Sequence, residues 1–232
     1  MHPVAALAVF VKTPGCSPVK TRLAAGIGRQ MAEEFYERSI AAVQQTACDA
    51  SQSLAAHWAV AESDALDDVR WRRFPTIAQG DGSLGMRLHR VHRDLRAAFG
   101  SVILIGADSP QISADLLIEA ALLLNRRPDR PAHVIGRNYD GGFYLFGSNY
   151  AIEERVWCEA ALETPQAAET LVELLDRNAT EWELPRRTDV DEERDLRSLV
   201  DEILALPNAS DAQSSLAHWI ESALEGWRRK PR

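Results

Sequence analysis

The sequence predicts a single α/β domain of three layers, in which helices cover both faces of a mainly parallel, mixed β-sheet. Two apolar runs, VAALAVFV (4–11) and SVILIGA (101–107), show no alternation of polar and apolar residues, which is typical of parallel strands buried on both faces. Segments with helical spacing separate the predicted strands along the chain. Strands that alternate with helices in this way pair into a parallel sheet with helices on both faces.

The predicted elements follow one another without an internal repeat or a linker, so we assign residues 1–232 to one domain with a C-terminal helical extension from about residue 208. The predicted strands cover residues 4–11, 55–61, 75–79, 101–107, 132–136, 142–147 and 180–184. The predicted helices cover residues 28–48, 83–99, 113–125 and 165–177, and from about 192 to the end with a break near Pro207 and Asn208.

Each kind of element has its own signal. In the 83–99 segment, Leu84, Leu88, Val91 and Leu95 share one helical face, with arginines on the opposite face. Ser113 is the predicted N-cap of the helix that follows it. The segments 132–136 and 142–147 read as two strands around a turn.

Composition excludes several classes of protein. The chain has 232 residues, a formal net charge of −8 and three widely spaced cysteines, which argues against general nucleic-acid binding and against a disulfide framework. No apolar run approaches the roughly 20 residues that span a bilayer, and no signal peptide is expected. We therefore expect a cytoplasmic protein without a membrane span, and an oligomer is compatible with the sequence.

Three loops are predicted to meet at one edge of the sheet. In open α/β sheets, ligands bind beyond the carboxyl ends of the strands. The first strand ends at Lys12, the third ends at QGDGSLG (79–85), and the fourth ends at GADSP (106–110). Polar and glycine-rich segments at these positions predict a ligand site there.

The first of these loops holds two of the only three lysines in a chain with 26 lysines and arginines. It is not a P-loop, because the glycines required before the Lys-Thr pair are absent. Gly15 permits close backbone approach, and Lys12, Lys20 and Arg22 supply positive charge. This chemistry suits the phosphates of a nucleotide, and the alternative is a solvated surface loop.

Each of the next two loops can be interpreted either as part of a ligand site or as ordinary local structure. The glycines of QGDGSLGMR (79–87) precede a helix whose first backbone amides could hold an anion, although an ordinary helix start has the same pattern. Asp108 follows a buried strand and suits Mg²⁺ held together with substrate phosphates. Its alternative role is to cap the next turn.

Two acidic segments lie later in the chain. Asp140 precedes a Gly-Gly pair, which alone predicts a hairpin turn. Asp189 and Asp191 follow the last strand, and Asp191 alone would be interpreted as a helix N-cap. A metal-binding role for these aspartates needs support from outside the pattern.

Five segments in order resemble one bacterial family: FVKTPGCSPVKTRLA, QGDGSLGMRL, IGADSPQIS, DGGFYLFG and DVDEERDL. That family belongs to the GT-A nucleotide-diphospho-sugar transferase superfamily. Its members are mostly uncharacterised, and some are labelled arsenosugar-biosynthesis glycosyltransferases. The Lys-Thr-Arg-Leu loop is also similar to that of the phospholactate guanylyltransferases. The resemblance spans residues 4 to about 200.

The resemblance implies a GT-A fold and a role for each matching residue. Nucleotide-binding residues would be Lys12, Gly15, Lys20, Arg22, Gln79, Gly80, Gly82 and Arg87. The metal, Mg²⁺ or Mn²⁺, would be held by Asp108 and Asp191. Catalytic residues would be Lys20, Asp108 and Asp140, and Asp140, Gly141 and Gly142 would border the acceptor pocket. The family's Asp-Cys-Pro reads Asp-Ser-Pro at 108–110, and its Asp-Val-Asp-Thr-Pro reads Asp-Val-Asp-Glu-Glu at 189–193.

The resemblance implies a metal-dependent transferase that uses a nucleotide donor, an NDP-sugar or an NTP, and a small-molecule acceptor. We favour a glycosyltransferase. A nucleotidyltransferase of the guanylyl or cytidylyl type that releases pyrophosphate and a non-catalytic nucleotide-binding regulator are the alternatives. The choice depends on Arg22: if it faces the phosphates, three cations suit a triphosphate, and if it pairs with an acidic residue, a diphosphate fits better. We predict the second arrangement, because the Thr-Arg-Leu segment (21–23) has helical character.

Overall fold

A seven-stranded mixed sheet forms the middle layer of the computed structural model, which describes residues 3–228. The strands are β1 (Ala5–Val11), β2 (Leu54–Val60), β3 (Thr76–Ala78), β4 (Val102–Gly106), β5 (Ala132–Asn138), β6 (Phe143–Ser148) and β7 (Thr180–Arg187). Their order across the sheet is β3-β2-β1-β4-β6-β5-β7. Strand β6 runs antiparallel to β4 and β5, and the other pairs are parallel. The predicted mainly parallel, mixed sheet is confirmed.

Helices pack on both faces of this sheet, as predicted. They are α1 (Thr21–Ile27), α2 (Arg29–Asp49), α3 (Leu84–Phe99), α4 (Ala114–Leu124), α5 (Glu154–Glu159), α6 (Ala167–Leu174), α7 (Asp195–Leu204) and α8 (Asp211–Arg228). Two short 3-10 helices, Ser63–Ala65 and Val69–Trp71, lie between β2 and β3. Within residues 3–228, no helix combines the length and the apolar character needed to cross a bilayer.

The predicted N-cap at Ser113 is confirmed, and Ser83, which the sequence analysis did not assign as a cap, also caps its helix. The Ser83 Oγ accepts a hydrogen bond from the Met86 amide at 3.4 Å, and the Ser113 Oγ accepts one from the Leu116 amide at 3.2 Å. The sequence did not predict α5. The last helical region begins at Asp195 rather than near 192, and the predicted break at Pro207 and Asn208 separates α7 from α8.

Buried side chains form a core on each face of the sheet. Helices α2 and α4 cover one face, where Trp58 and Ile103 are buried, and α3, α5 and α6 cover the other, where Phe146 and Trp157 are buried. A third cluster joins α1, α2, α7 and α8. Cys16, Cys48 and Cys158 are all free thiols. The basic end of the chain at 229–232, including Lys230, lies outside the described residues.

Candidate functional site

A cavity of about 930 Å³ lies beyond the carboxyl ends of the strands, where the three loops were predicted to meet. Its volume is in the range of small-molecule sites. The predicted site residues that line it are Lys12, Lys20, Arg22, Gln79, Gly82, Arg87, Asp108, Asp140, Gly142 and Asp191. The segment from Leu162 to Pro165 and the aspartate at position 189 also contribute to the wall. The predicted convergence of the loops is therefore confirmed.

Three predicted glycines do not line the cavity, and each shapes a loop beside it. Gly15 lies in the exposed turn between Thr13 and Ser17. Gly80 has φ 74°, and a Cβ there would lie 1.8 Å from the Arg90 Nη1. Gly141 has φ 95°, and a Cβ there would lie 1.7 Å from the Pro165 carbonyl oxygen. At position 141 a backbone carbonyl occupies the space that a side chain would need, whereas at position 80 it is the positive φ that disfavours a side chain, because the Arg90 guanidinium is the end of a flexible side chain.

Lys20 lies on the inner side of the loop and has carboxylates as its partners. Its side chain is only 7 % exposed, and its Nζ is 2.9 Å from the Asp108 Oδ2 and 3.8 Å from the Asp189 Oδ1. The same Nζ donates a hydrogen bond to the Val190 carbonyl at 2.9 Å. Burial opposes the charge on Lys20, but the attraction of Asp108 and Asp189 outweighs it and raises the pKa of this lysine.

Lys12 differs from Lys20 in both exposure and partners. Its side chain is exposed and lines the cavity, and among the described side chains no carboxylate lies within 4.0 Å of its Nζ. Its backbone is held in place, because the Lys12 amide donates to the Tyr36 hydroxyl at 2.9 Å. The next amide, that of Thr13, donates to the Glu62 Oε2 at 2.8 Å. A fixed backbone thus carries an ammonium group that faces the cavity.

Arg22 turns back onto acidic residues, so the predicted arrangement is confirmed. The first turn of α1 carries its side chain to Asp191, with which Nη1 forms a short ion pair, and to Glu192, whose Oε1 is 3.5 Å from Nη2. The side chain is 66 % exposed. Arg22 therefore has carboxylate partners of its own at the rim of the cavity.

The glycine-rich segment before α3 is held by arginines from that helix. The Gln79 side-chain amide donates to the Val11 carbonyl at 3.2 Å and to the Ala59 carbonyl at 2.8 Å, which links the ends of β1 and β2. Arg87 Nε donates to the Gly82 carbonyl at 3.1 Å. Arg90, which sequence reasoning did not single out, donates to the carbonyl of Gln79.

Three aspartates form a compact acidic group at the cavity wall. One carboxylate oxygen from each of Asp140, Asp189 and Asp191 lies within 4.8 Å of the other two. Burial and the nearby carboxylates of Asp108, Asp191 and Asp140 raise the pKa of Asp189 to about 6, although Lys20 acts in the opposite direction. Closely spaced carboxylates of this kind suit a hard divalent cation, whose charge would remove their mutual repulsion.

The two predicted metal ligands have different environments. Asp191 belongs to the three-aspartate group, whereas Asp108 does not and has Lys20 as its partner. The positive charge of Lys20 lowers the pKa of Asp108, although partial desolvation of the carboxylate acts in the opposite direction. Asp189, which the metal prediction left out, takes a place in the acidic group.

The alternative in which Asp191 caps a helix is wrong. The next helix, α7, begins four residues later at Asp195, and its N-cap Arg194 makes no capping bond through its side chain. Here Asp191 donates through its backbone and does not act as a capping acceptor. The amides of Asp191 and Glu192 donate to the Asp195 Oδ2 at 3.1 and 2.7 Å. The Asp191 carboxylate is thereby left to face Arg22 and the cavity.

Asn138 is a further cavity residue that sequence reasoning missed. It ends β5 and is only 6 % exposed, and its Oδ1 has no hydrogen-bond partner among the described residues. Buried amide oxygens are normally paired. No local pattern singles out Asn138, because it lies within a strand and only the neighbouring loops make it part of the cavity.

The fold is shared with solved structures. A protein of Desulfovibrio desulfuricans G20, provisionally named a nucleotide-diphospho-sugar transferase, matches with a TM-score of 0.81 at 22 % identity, over 97 % of this chain and 99 % of that one. A cytidylyltransferase of Leptospira borgpetersenii matches with a TM-score of 0.52 at 11 % identity, over 100 % and 99 % of the two chains. The protein therefore has the nucleotide-diphospho-sugar transferase fold.

The sequence also identifies the family. Residues 39–164, more than half of the chain, match the model of an uncharacterised protein family conserved in bacteria (DUF2064), and the chain belongs to that family. A comparison with curated proteins gave no match.

Proposed function

We propose that this protein is a metal-dependent transferase that uses a nucleotide-activated donor, and that the donor is an NDP-sugar. The observation that carries the choice of donor is the pairing of Arg22 with Asp191 and Glu192. Because Lys20 is also paired, with Asp108, the cavity cations without a carboxylate partner among the described side chains are Lys12 and Arg87. Two cations and one metal ion match a diphosphate better than a triphosphate.

In this proposal, the donor phosphates lie between Lys12 and the start of α3. Lys12 offers a compact charge on a flexible side chain that can adjust to the phosphate oxygens, whereas the hydrogen bond from Arg87 Nε to the Gly82 carbonyl orients Arg87. Backbone amides at the start of α3, next to Ser83 and Leu84, add donors at the positive end of the helix dipole. These groups would bind the donor and stabilise the charge that forms on the leaving diphosphate.

The acidic group would hold the divalent cation. Oxygen ligands from Asp189 and Asp191 suit Mg²⁺ or Mn²⁺. Asp140, the exposed member of the group, is left for the acceptor. When bound, the cation supplies Lewis-acid stabilisation of the departing phosphate charge. Lys20 would keep Asp108 and Asp189 ionised and in place, and in our proposal it is a positioning residue as much as a catalytic one.

The acceptor would enter beside the turn after β5. Asp140 and Gly142 line the cavity there, and the loop that contains Thr164 and Pro165 forms the facing wall. In glycosyl transfer, the acceptor hydroxyl attacks the anomeric carbon, the bond from that carbon to the diphosphate breaks, and the hydroxyl proton passes to a base. We propose Asp140 as that base, because its carboxylate is exposed at the acceptor side.

A nucleotidyltransferase is the second candidate. Its support is the likeness of fold to the Leptospira cytidylyltransferase over the whole of both chains, together with the lysine-containing loop. In that reaction an acceptor phosphate attacks the α-phosphate of an NTP and pyrophosphate leaves. A non-catalytic nucleotide-binding regulator is disfavoured, because it would not need three carboxylates packed together in the cavity.

The test is direct competition between NTPs and the corresponding NDP-sugars at fixed Mn²⁺, followed by an assay for the product released. The proposal predicts tighter binding of an NDP-sugar and release of NDP. Tighter binding of a triphosphate with release of pyrophosphate would establish the nucleotidyltransferase instead. Asp191→Asn should abolish the dependence of donor binding on Mn²⁺, whereas Asp67→Asn, a substitution of an exposed aspartate that is not part of the acidic group, should not.

A further inference from the structure

A second cleft lies at the opposite ends of the strands that carry the acidic group. It has a volume of about 290 Å³ and is formed where α4 ends and where β5 and β7 begin. The residues that define it, called here the arginine cleft, are Leu123, Arg126, Arg127, Arg130, Ala132, Thr180 and Trp182. The carboxyl ends of β5 and β7 lead instead to Asp140 and Asp189, so the two clefts are separated by the length of the sheet.

The arginine cleft concentrates positive charge on a chain whose net charge is −8. Arg126, Arg127 and Arg130 are all exposed, and none of them has a carboxylate within 4.0 Å among the side chains that the structure describes. One cation after the end of α4 would complement the helix dipole. Three exposed guanidinium groups around one cavity exceed the single charge that the helix dipole calls for. An anion bound between them would remove the part of their mutual repulsion that water and salt leave.

Trp182 fixes one of these guanidinium groups. The Arg126 Cζ lies 5.5 Å from the centre of the Trp182 ring, in a cation–π contact. The ring itself is partly buried against the core cluster that contains Leu124 and Val134. An arginine stacked on a fixed ring loses less conformational freedom when its N–H groups bind an anion. Leu123 and Ala132 give the cleft an apolar wall.

We propose that the arginine cleft binds the phosphate group of a small molecule. Guanidinium groups donate paired hydrogen bonds that match phosphate oxygens. The volume of the cleft is about a third of that of the candidate functional site, so it suits phosphate, pyrophosphate or a small phosphorylated metabolite rather than a complete NDP-sugar. This site is separate from the one assigned to the donor.

The test uses calorimetric titration of the full chain with inorganic pyrophosphate, without added metal and at low salt. Arg126→Ala and Arg130→Ala should each weaken binding by about tenfold, which is the loss of one charge-assisted hydrogen bond. Arg72→Ala, which removes an exposed arginine outside both clefts, should leave the affinity unchanged. Lys12→Ala separates this site from the donor site, because it should not affect pyrophosphate bound in the arginine cleft.

A second variant tests the role of the stacked ring. Trp182→Phe keeps an aromatic surface for Arg126 and should retain most of the affinity, whereas Trp182→Leu should weaken binding several-fold while far-UV circular dichroism stays unchanged. Three results would overturn the proposal: no binding of pyrophosphate, equal losses in the Arg72→Ala control, or losses in Lys12→Ala alone. An acidic peptide that binds in place of pyrophosphate would also contradict a phosphate site.

Discussion

The two ends of the loop after β1 carry the same side chain in opposite environments. Lys12 is exposed, faces the cavity and has no carboxylate partner among the described side chains, whereas Lys20 is 7 % exposed and contacts Asp108 and Asp189. A lysine without a partner is available to a ligand, and a paired one mainly supports the protein around it. The comparison teaches that one loop supplies both a binding charge and a structural counterion.

Replacement of Lys20, the buried lysine of the loop, should give the largest decrease in the free energy of unfolding. Lys20→Met leaves Asp108 and Asp189 without their cation, and the loss of one partner of a buried pair costs a few kcal/mol. Because the Asp108 side chain is 42 % exposed, we expect about 2–3 kcal/mol, which corresponds to a decrease of roughly 5–10 °C in Tm for a chain of this size. Thermal unfolding at pH 7 measures it.

The pH dependence of the destabilisation by Lys20→Met serves as the control for this prediction. The pKa of Lys20 is raised and that of Asp108 is lowered, so the pair stabilises the fold from above the ordinary pKa of aspartate to beyond neutral pH. The cost of Lys20→Met should therefore shrink as the pH falls toward 4, because the carboxylates of the variant, which lack their cation, take up protons while Asp108 of the wild-type protein stays ionised. Lys12→Met should leave Tm within about 1 °C at each pH, since surface substitutions have small effects. Equal decreases in the two variants would remove the distinction between the lysines.

Replacement of Asp189 by a neutral residue should have the next largest effect, which is an increase in the free energy of unfolding. Its pKa is raised to about 6, so the folded protein binds this proton more tightly than the unfolded chain does. The stability gained from the proton is complete below about pH 4 and is lost as the pH rises through 6. Asp189→Asn should therefore raise the stability by about 1–3 kcal/mol at pH 8 without added metal, and by little at pH 4.

Chemical denaturation at the two pH values measures this difference. In the Lys20→Met background the gain from Asp189→Asn should be larger, because the carboxylate then lacks its attractive partner. Glu37→Gln, which replaces an exposed carboxylate outside the site, is the matched control. A decrease in stability at pH 8 would show that Lys20 outweighs the repulsion among the aspartates.

Lys12, the exposed lysine of the loop, should affect the affinity for the ligand rather than the stability of the fold. Lys12→Ala should weaken binding of the donor nucleotide by about tenfold, the value of a single charge-assisted contact, without a change in Tm. Titration at two salt concentrations measures the affinity and should show a smaller salt dependence in the variant. Arg29→Ala removes a nearby cation outside the cavity and should leave the affinity unchanged; a similar loss there would mean that the effect of Lys12 is not local.

The smallest effect on stability is expected at Arg22. Its ion pair with Asp191 is at the surface, so Arg22→Gln should cost less than about 1 kcal/mol. The informative measurement is donor preference: if Arg22 acts only on Asp191 and Glu192, the ratio of affinities for an NDP-sugar and its NTP should stay constant. A selective loss of NTP affinity would place Arg22 on the phosphates and favour nucleotidyl transfer.

Local patterns were sufficient to predict most of the fold. Continuous apolar runs indicated the buried strands, and the N-cap at Ser113 marked a helix start, because such signals depend only on neighbouring residues. The helix α5 was missed because its six residues are too few for a helical period to be seen. The insertion of β6 between β4 and β5 depends on pairing across the sheet, and no segment encodes that alone.

The sequence by itself determined which loops meet, since the carboxyl ends of parallel strands share one edge of a sheet. Only the tertiary structure decided which charges in those loops become partners. Lys20 reaches Asp108 and Asp189, and Arg22 reaches Asp191 from 169 positions away in the chain. The physical reason is that an ion pair depends on distances of a few ångströms, which are set by the order and register of distant strands.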